Sequence, residues 1–340
     1  RLFCFAAIVV TERLSHVLLD KHLFIIPTYG DLCQVIKVIS TEYDVDSEES
    51  ESSEVYADTE IFAEKNLKVF KNATSYDVKI SDSFDDMMDI VFCDTSEELF
   101  DRYFSGFQIE GTSKSWKAFM GDWDTYEILK TFGIYDISQD HCCYALVKLA
   151  RKHETRQLGS LANITLKDYI QRSVDDLNVN STSNVRQFMK EYGTHYIESY
   201  SKGNAIYQVF KYKRSRYNYI KNDVRRRSSA KKWTDDTLRY YFSSIFLKQI
   251  GNIKAASGNT TIEKWARKHL IDSQYLFSRP TLFKLYYSPF LLNKLKNLLD
   301  NGALLSMNLK VLKPLFNDTE KRDKYIEIVE NDLKLWETNI

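Results

Sequence analysis

The sequence predicts a single α+β domain, and three observations carry the prediction. Residues 32–39 and 194–212 are dense in Val, Ile, Tyr and Phe, as strands are. From residue 95 onward apolar residues recur at helical spacing behind capping residues. No repeat of solenoid period and no Pro- or Ser-rich linker divides the 340 residues, of which 44% are hydrophobic, so one large core can be filled. The 22 Tyr and 20 Phe against 11 Gly and 4 Pro suit long elements joined by few tight turns.

Taken in order, residues 1–20 are expected to be the remnant of an export leader. Arg1 precedes the apolar run at 2–10, which has the charge and length of a signal peptide's first two regions; a buried first strand is the alternative. The domain proper is expected to span 21–340. A strand at 32–39 is followed by an acidic tract, 42–64, with ten Asp or Glu and no Lys or Arg, which cannot bury apolar surface and must be an exposed loop. A second strand is expected within 66–80. Thr95 and Glu98 then form a capping box ahead of a helical stripe of Leu99, Tyr103, Phe104 and Phe107.

Ser183 introduces a helix carrying Val185, Phe188, Met189 and Tyr192 on one face, and Gly193 supplies the left-handed stop. Residues 194–212 read as one long strand with a bend or bulge at Gly203-Asn204. A basic tract follows at 211–232, with ten Lys or Arg against one Asp, and is expected to be largely solvated. Thr234 or Asp235 starts a helix with Leu238, Tyr241, Phe242, Ile245 and Phe246, and a shorter helix covers 262–270. Ser288-Pro289 is an N-cap and first-turn pair for a helix bearing Phe290, Leu291, Leu295, Leu298 and Leu299. The last helix, from about Glu320, aligns Tyr325, Val329, Leu333 and Trp336.

Chemistry is mostly excluded. Lys+Arg and Asp+Glu both number 47, so no whole-molecule field draws the chain to nucleic acid. The sequence contains no P-loop, G-x-G-x-x-G, H-E-x-x-H, G-x-S-x-G or C-x-x-C, and His153-Glu154 lacks a second metal-binding His. No catalytic residue, cofactor or metal is expected, and the protein is read as a non-enzyme. His141-Cys142-Cys143 is contiguous, whereas zinc ligands are spaced. Cys33, Cys93, Cys142 and Cys143 remain as disulfide candidates beyond the leader, with three connectivities open and the vicinal pair disfavoured by strain. Five N-x-[ST] sequons, at Asn72, Asn163, Asn180, Asn259 and Asn317, are candidate glycan acceptors and point to the secretory route.

The run Phe188-Met189-Lys190-Glu191-Tyr192-Gly193-Thr194-His195-Tyr196 resembles the signature of the membrane attack complex/perforin (MACPF) family. The resemblance implies a bent, twisted antiparallel sheet flanked by helix clusters, with C-terminal helices. Tyr192, Gly193, Thr194, His195 and Tyr196 would join a helix to the central strand, and Gly203-Asn204 would stand where the family usually has Gly-Gly. Ser278-Arg279-Pro280 resembles the family's closing segment, and residues 30–39, Phe92-Cys93-Asp94 and His141-Cys142 look similar to a small insect member. What that implies is a secreted protein of the extracellular matrix or plasma-membrane surface. Its partners would be components of a receptor tyrosine kinase pathway in terminal embryonic patterning and growth control, with a homo-oligomer among the expected states.

Pore formers of the family turn two helix clusters into membrane hairpins, here about 95–165 and 211–270. In such hairpins alternate residues face lipid. Read at period two, residues 214–232 offer few large apolar groups, Tyr217, Tyr219 and Val224 among them, and would place charge on the lipid face. A pore-forming effector that oligomerises on membranes is therefore the alternative reading. The preferred one is adhesion: Arg225, Arg226, Arg227, Lys231 and Lys232 bind an anionic surface, with Tyr217 and Tyr219 at the same interface. His195 is expected to be hydrogen-bonded inside the fold.

Overall fold

Two long strands, β6 (Cys143–Leu158) and β7 (His195–Tyr212), pair antiparallel and form the spine of the molecule. The computed structural model describes residues 24–28, 32–36, 76–81, 88–120, 125–135, 143–158, 166–226, 234–256, 258–271, 279–299 and 303–339. The leader, the acidic tract, Asn72, Asn163, Cys142, Arg227, Lys231 and Lys232 lie outside the described residues.

β3 (Tyr76–Ile80) and β4 (Asp89–Cys93) lie end to end along one edge of β6. Along the far edge of β7 run β10 (Ala303–Val311), β9 (Lys254–Ala255) and β8 (Leu247–Ile250), also antiparallel. β5 (Phe107–Ile109) adds in parallel beyond β10. β1 (Phe24–Thr28) and β2 (Leu32–Ile36) form a separate two-stranded antiparallel sheet.

The sheet is sandwiched. Alternate residues of β6 enter two different cores: Tyr144, Leu146 and Ala150 face one, and Cys143, Ala145, Val147 and Leu149 face the other. The first core is closed by helices α1 (Ser96–Tyr103), α3 (Thr125–Thr131), α4 (Asp168–Asp175), α5 (Thr182–Tyr192) and α11 (Thr319–Asn339), with the short α2 (Ser115–Met120) beside α1. The second is closed by α6 (Arg214–Arg226), α7 (Asp235–Tyr241), α8 (Thr260–His269), α9 (Phe283–Tyr286) and α10 (Pro289–Lys296).

The bend comes from β6 rather than from a left-handed residue on β7. The pairing skips one residue between Lys152 and Glu154, a bulge that sits against Gly203. A Cβ on Gly203 would lie 2.0 Å from the Arg151 carbonyl oxygen, so glycine is required there by close approach of the strands, while its φ is not in the left-handed region. Asn204 is fully buried within the strand, its Oδ1 accepting from the Ala205 amide at 2.8 Å. The irregularity expected at Gly203-Asn204 is this bulge, with the extra residue carried by β6.

Caps fall where the side chains predict. Thr95 Oγ1 accepts from the Glu98 amide at 3.1 Å, and Glu98 returns the bond to the Asp94 amide at 2.7 Å, one residue earlier than in a standard capping box. Thr234, Asn259 and Ser288 cap α7, α8 and α10. α5 starts two residues earlier than expected, capped by Ser181. Phe107 belongs to β5 and not to the α1 stripe, while Ile245 and Phe290 are exposed rather than core. α11 follows its expected stripe, with Tyr325, Val329, Leu333 and Trp336 all buried. The bidentate pair of Arg186 with Asp332, at 2.7 and 3.2 Å, ties α5 to it.

Candidate functional site

The signature run is a latch between α5, β7 and the end of β10. Gly193 ends α5 with φ 84°, and its amide bonds to Met189 O at 2.9 Å. Its chain neighbours apart, no described atom lies within 4 Å of a Cβ built on Gly193, so only its backbone conformation demands glycine. Thr194 is buried, and its carbonyl accepts from the Leu312 amide at 3.0 Å. Tyr192 packs against Phe188 and shares a 3.0 Å hydrogen bond with Ser173 on α4.

His195 is buried and bonded on both ring nitrogens. Its Nε2 lies 2.8 Å from the Glu110 carbonyl, an acceptor only, so Nε2 carries the proton. Nδ1 then accepts from the Thr194 hydroxyl at 2.8 Å. Burial pushes the imidazole down to about 4, so it is neutral at physiological pH. The Glu110 carboxylate accepts from the Val311 amide at 2.9 Å and from Lys313 at 2.7 Å. Burial raises its pKa, but those two donors prevail and hold it below the usual carboxylate range. With both nitrogens committed to the fold, His195 is a structural group.

A second junction joins the two helical stretches that flank the spine. α1–α3 lie between β4 and β6 in the chain, and α6–α7 lie between β7 and β8. Asp94, at the turn from β4 into α1, accepts from the Tyr217 hydroxyl at 2.8 Å and pairs with Lys221, both on α6. The Lys221 hydrogen bond is the main reason its carboxyl sits below the usual value.

The basic tract is less solvated than its composition predicts. Lys211 and Tyr212 are buried in β7, and Tyr217 and Ile220 are buried under α6. Tyr217 is therefore not an interfacial residue, whereas Tyr219 is 57% exposed. Arg225 and Arg226 close α6; their partners in the expected surface, Arg227, Lys231 and Lys232, lie beyond the described residues. Sequence reasoning missed Tyr240, which joins Tyr219 at this surface. Its signal, an aromatic on the outer face of the helix after Thr234, was present.

Among the disulfide candidates, Cys93 is a buried free thiol, which corrects that expectation for Cys93. Burial pushes it up to about 12, so it is inert. Cys143 sits in the opposite core, near Arg214, so these two cysteines face away from each other across the sheet. Cys33 lies in β2 opposite Pro27. Of the described sequons, Asn180 and Asn317 are exposed, while Asn259 is half-buried and caps α8. Among the described residues no helix is long and apolar enough to cross a membrane.

Residues 132–267, which contain β6, the signature run, α6 and α7, match the family model of the MAC/Perforin domain. The likeness to that family lies in residues 132–267. Solved structures similar to the chain include GNIP1Aa from Chromobacterium piscinae, at 12% identity and a TM-score of 0.43, covering 77% of this chain and 47% of that one. Another is a MAC/Perforin-domain protein from Bacteroides thetaiotaomicron, at 12% identity and 0.39, covering 79% and 54%. Astrotactin-2, a vertebrate-specific perforin-like membrane protein involved in neuronal development, is similar at 14% identity and 0.27, covering 59% and 72%. The chain thus spans about half the length of the first two. No curated protein sequence matches it.

Proposed function

We propose that this is a secreted, non-enzymatic MACPF-type protein that adheres to an anionic extracellular surface without opening a pore. In kind it resembles the insect Torso-like protein. By that resemblance it acts as a matrix- or membrane-associated cue in receptor tyrosine kinase (Torso) signalling during terminal embryonic patterning and growth control. One observation carries the non-lytic reading: the composition of α6. Its 13 residues hold five Arg or Lys and one Asp, and its largest inward groups, Tyr217 and Ile220, are spent on the core. Unfolded into a membrane strand, this segment would bring Arg or Lys to the bilayer midplane at about 2–4 kcal/mol each.

The interposition of α1–α3 and α6–α7 between paired strands favours the second reading, a perforin-like effector that oligomerises on membranes. Replacing Arg225, Arg226, Arg227, Lys231 and Lys232 by Gln separates the two. Under the adhesion reading the variant keeps its melting temperature but is retained less on heparin and on phosphatidylserine vesicles, salt weakens the wild type similarly, and no dye is released. Equal retention of variant and wild type overturns adhesion through this tract. Dye release on binding establishes the pore former instead.

A further inference from the structure

The surface beside the basic helix carries an apolar cluster that the fold does not bury. Tyr219 on α6, Tyr240 on α7 and Ile245 in the turn after α7 are 57%, 49% and 56% exposed. The two tyrosines share a neighbour, and Ile245 precedes that neighbour in the chain. The Tyr219 ring stacks on Phe246 at 6.4 Å and 12°, and Tyr240 meets the same Phe246 edge-on at 4.9 Å. Phe246 itself is buried in the second core, so it anchors the exposed groups to a rigid base.

Positive charge frames this cluster. Lys213 is exposed, and its amide bonds to the Phe246 carbonyl at 3.0 Å, which fixes it at the cluster's edge. Arg216 is exposed one turn before Tyr219 on the same face of α6. Asp236, one turn before Tyr240, is an acid at the rim.

We infer that this α6–α7 face is a docking surface for an anionic phospholipid bilayer, engaged with the helices intact. The inference rests on the adhesion reading above and names its counter-surface. A sulfated polysaccharide would satisfy the cations but offers no apolar phase for Tyr219, Tyr240 and Ile245. A bilayer interface takes both: tyrosine rings settle at headgroup level, aliphatic groups enter the acyl boundary, and Lys and Arg meet anionic headgroups. The apolar contact lies on groups already exposed, so docking needs no rearrangement of the sheet.

The test uses the full chain and a triple variant, Tyr219→Ser, Tyr240→Ser and Ile245→Ser, with Ile245→Ser alone as a milder form that leaves the aromatic contacts to Phe246 in place. Binding is measured by co-sedimentation with phosphatidylcholine vesicles containing phosphatidylserine, with heparin retention in parallel. The triple variant should lose about tenfold or more in vesicle affinity and the single variant less, since interfacial binding scales with the apolar area inserted. Heparin retention should be unchanged in both. Should the triple variant melt early, the single variant decides. Equal vesicle binding by wild type and Ile245→Ser, or by wild type and a folded triple variant, overturns the lipid assignment. Wild type that is retained on heparin yet ignores vesicles also overturns it, while leaving adhesion standing. Binding to neither support removes both.

Discussion

Asp94 accepts the hydroxyl of Tyr217 at 2.8 Å, and this bond pins the basic helix α6 to the turn where the chain leaves β4 for α1. Lys221 on the next turn of α6 pairs with the same carboxylate. Two donors of α6 thus share one acceptor at the start of the other helical stretch. Removing it strands a buried hydroxyl. Asp94→Ala should cost about 1–3 kcal/mol, mainly from the Tyr217 hydroxyl, because the half-exposed ion pair is screened. Tyr217→Phe should cost less, since Asp94 keeps Lys221. The pH dependence has a definite sign. The folded-state pKa of Asp94 lies below its ordinary 3.8, so its contribution is complete above that value and is lost as pH falls through the lowered one. Melting curves of wild type and Asp94→Asn should converge only below about pH 4; a gap that persists undiminished into stronger acid contradicts the assignment.

His195 loses stability in the same direction, over a higher pH window. Its pKa falls from 6.5 to about 4 on folding, because burial disfavours the imidazolium. The unfolded chain then binds protons more readily, so stability is full above about pH 6.5, declines as pH falls to 4, and levels off below it. The loss is at most about 3 kcal/mol. His195→Gln, whose amide can still donate to the Glu110 carbonyl, should flatten this part of the profile. A variant with the same slope as wild type between pH 6.5 and 4 shows that another group titrates there.

The fold was legible wherever one segment carried its own signal. Gly193 behind a helical face gave the end of α5, and the β-branched and aromatic density of 195–212 gave β7. β6 and β10 were not legible, and the reason is burial. Cys143–Leu158 is rich in Ala, Leu, Lys, Arg and Gln, which favour helices, and both faces of its first half are apolar. Placement between β4 and β7 decides its state, and nothing local does. The junction at Asp94 was equally hidden. Its partners lie 123 and 127 residues away. Tyr217 and Tyr219 read as equivalent in the sequence, and only the phase of α6 puts one in the core and the other in solvent.

Two glycines divide the ways in which a backbone can require glycine. At Gly193 the space is open and the φ of 84° is the constraint, so Gly193→Val should destabilise the fold by about 1–3 kcal/mol and Gly193→Asn by less. At Gly203 the φ is ordinary and the space is closed by the Arg151 carbonyl at 2.0 Å. Gly203→Ala, the smallest addition available, should therefore cost more than Gly193→Ala, because it must part β6 from β7 at the bulge. The order of the two melting temperatures decides it.

Glycan placement follows from which sequon asparagines the fold leaves available. Asn317 is exposed in the turn ahead of α11, and Asn180 is exposed ahead of α5, its Oδ1 accepting from Lys324 at 2.8 Å. Asn259 is different. It is half-buried, and its Oδ1 caps α8 through the Thr261 amide at 2.9 Å and the Ile262 amide at 3.4 Å. A glycan on its Nδ2 would have to leave without disturbing this cap, whose loss costs about 1 kcal/mol. Expressed through a secretory route, the chain should carry glycan at Asn317 and Asn180 but not at Asn259. Asn317→Gln and Asn180→Gln should each lower the apparent mass, and glycosidase digestion should abolish the difference from the wild type. Asn259→Gln should leave the mass unaltered and lower the melting temperature instead. A mass shift from Asn259→Gln alone would show that α8 forms after the glycan is attached, with its cap made by another group.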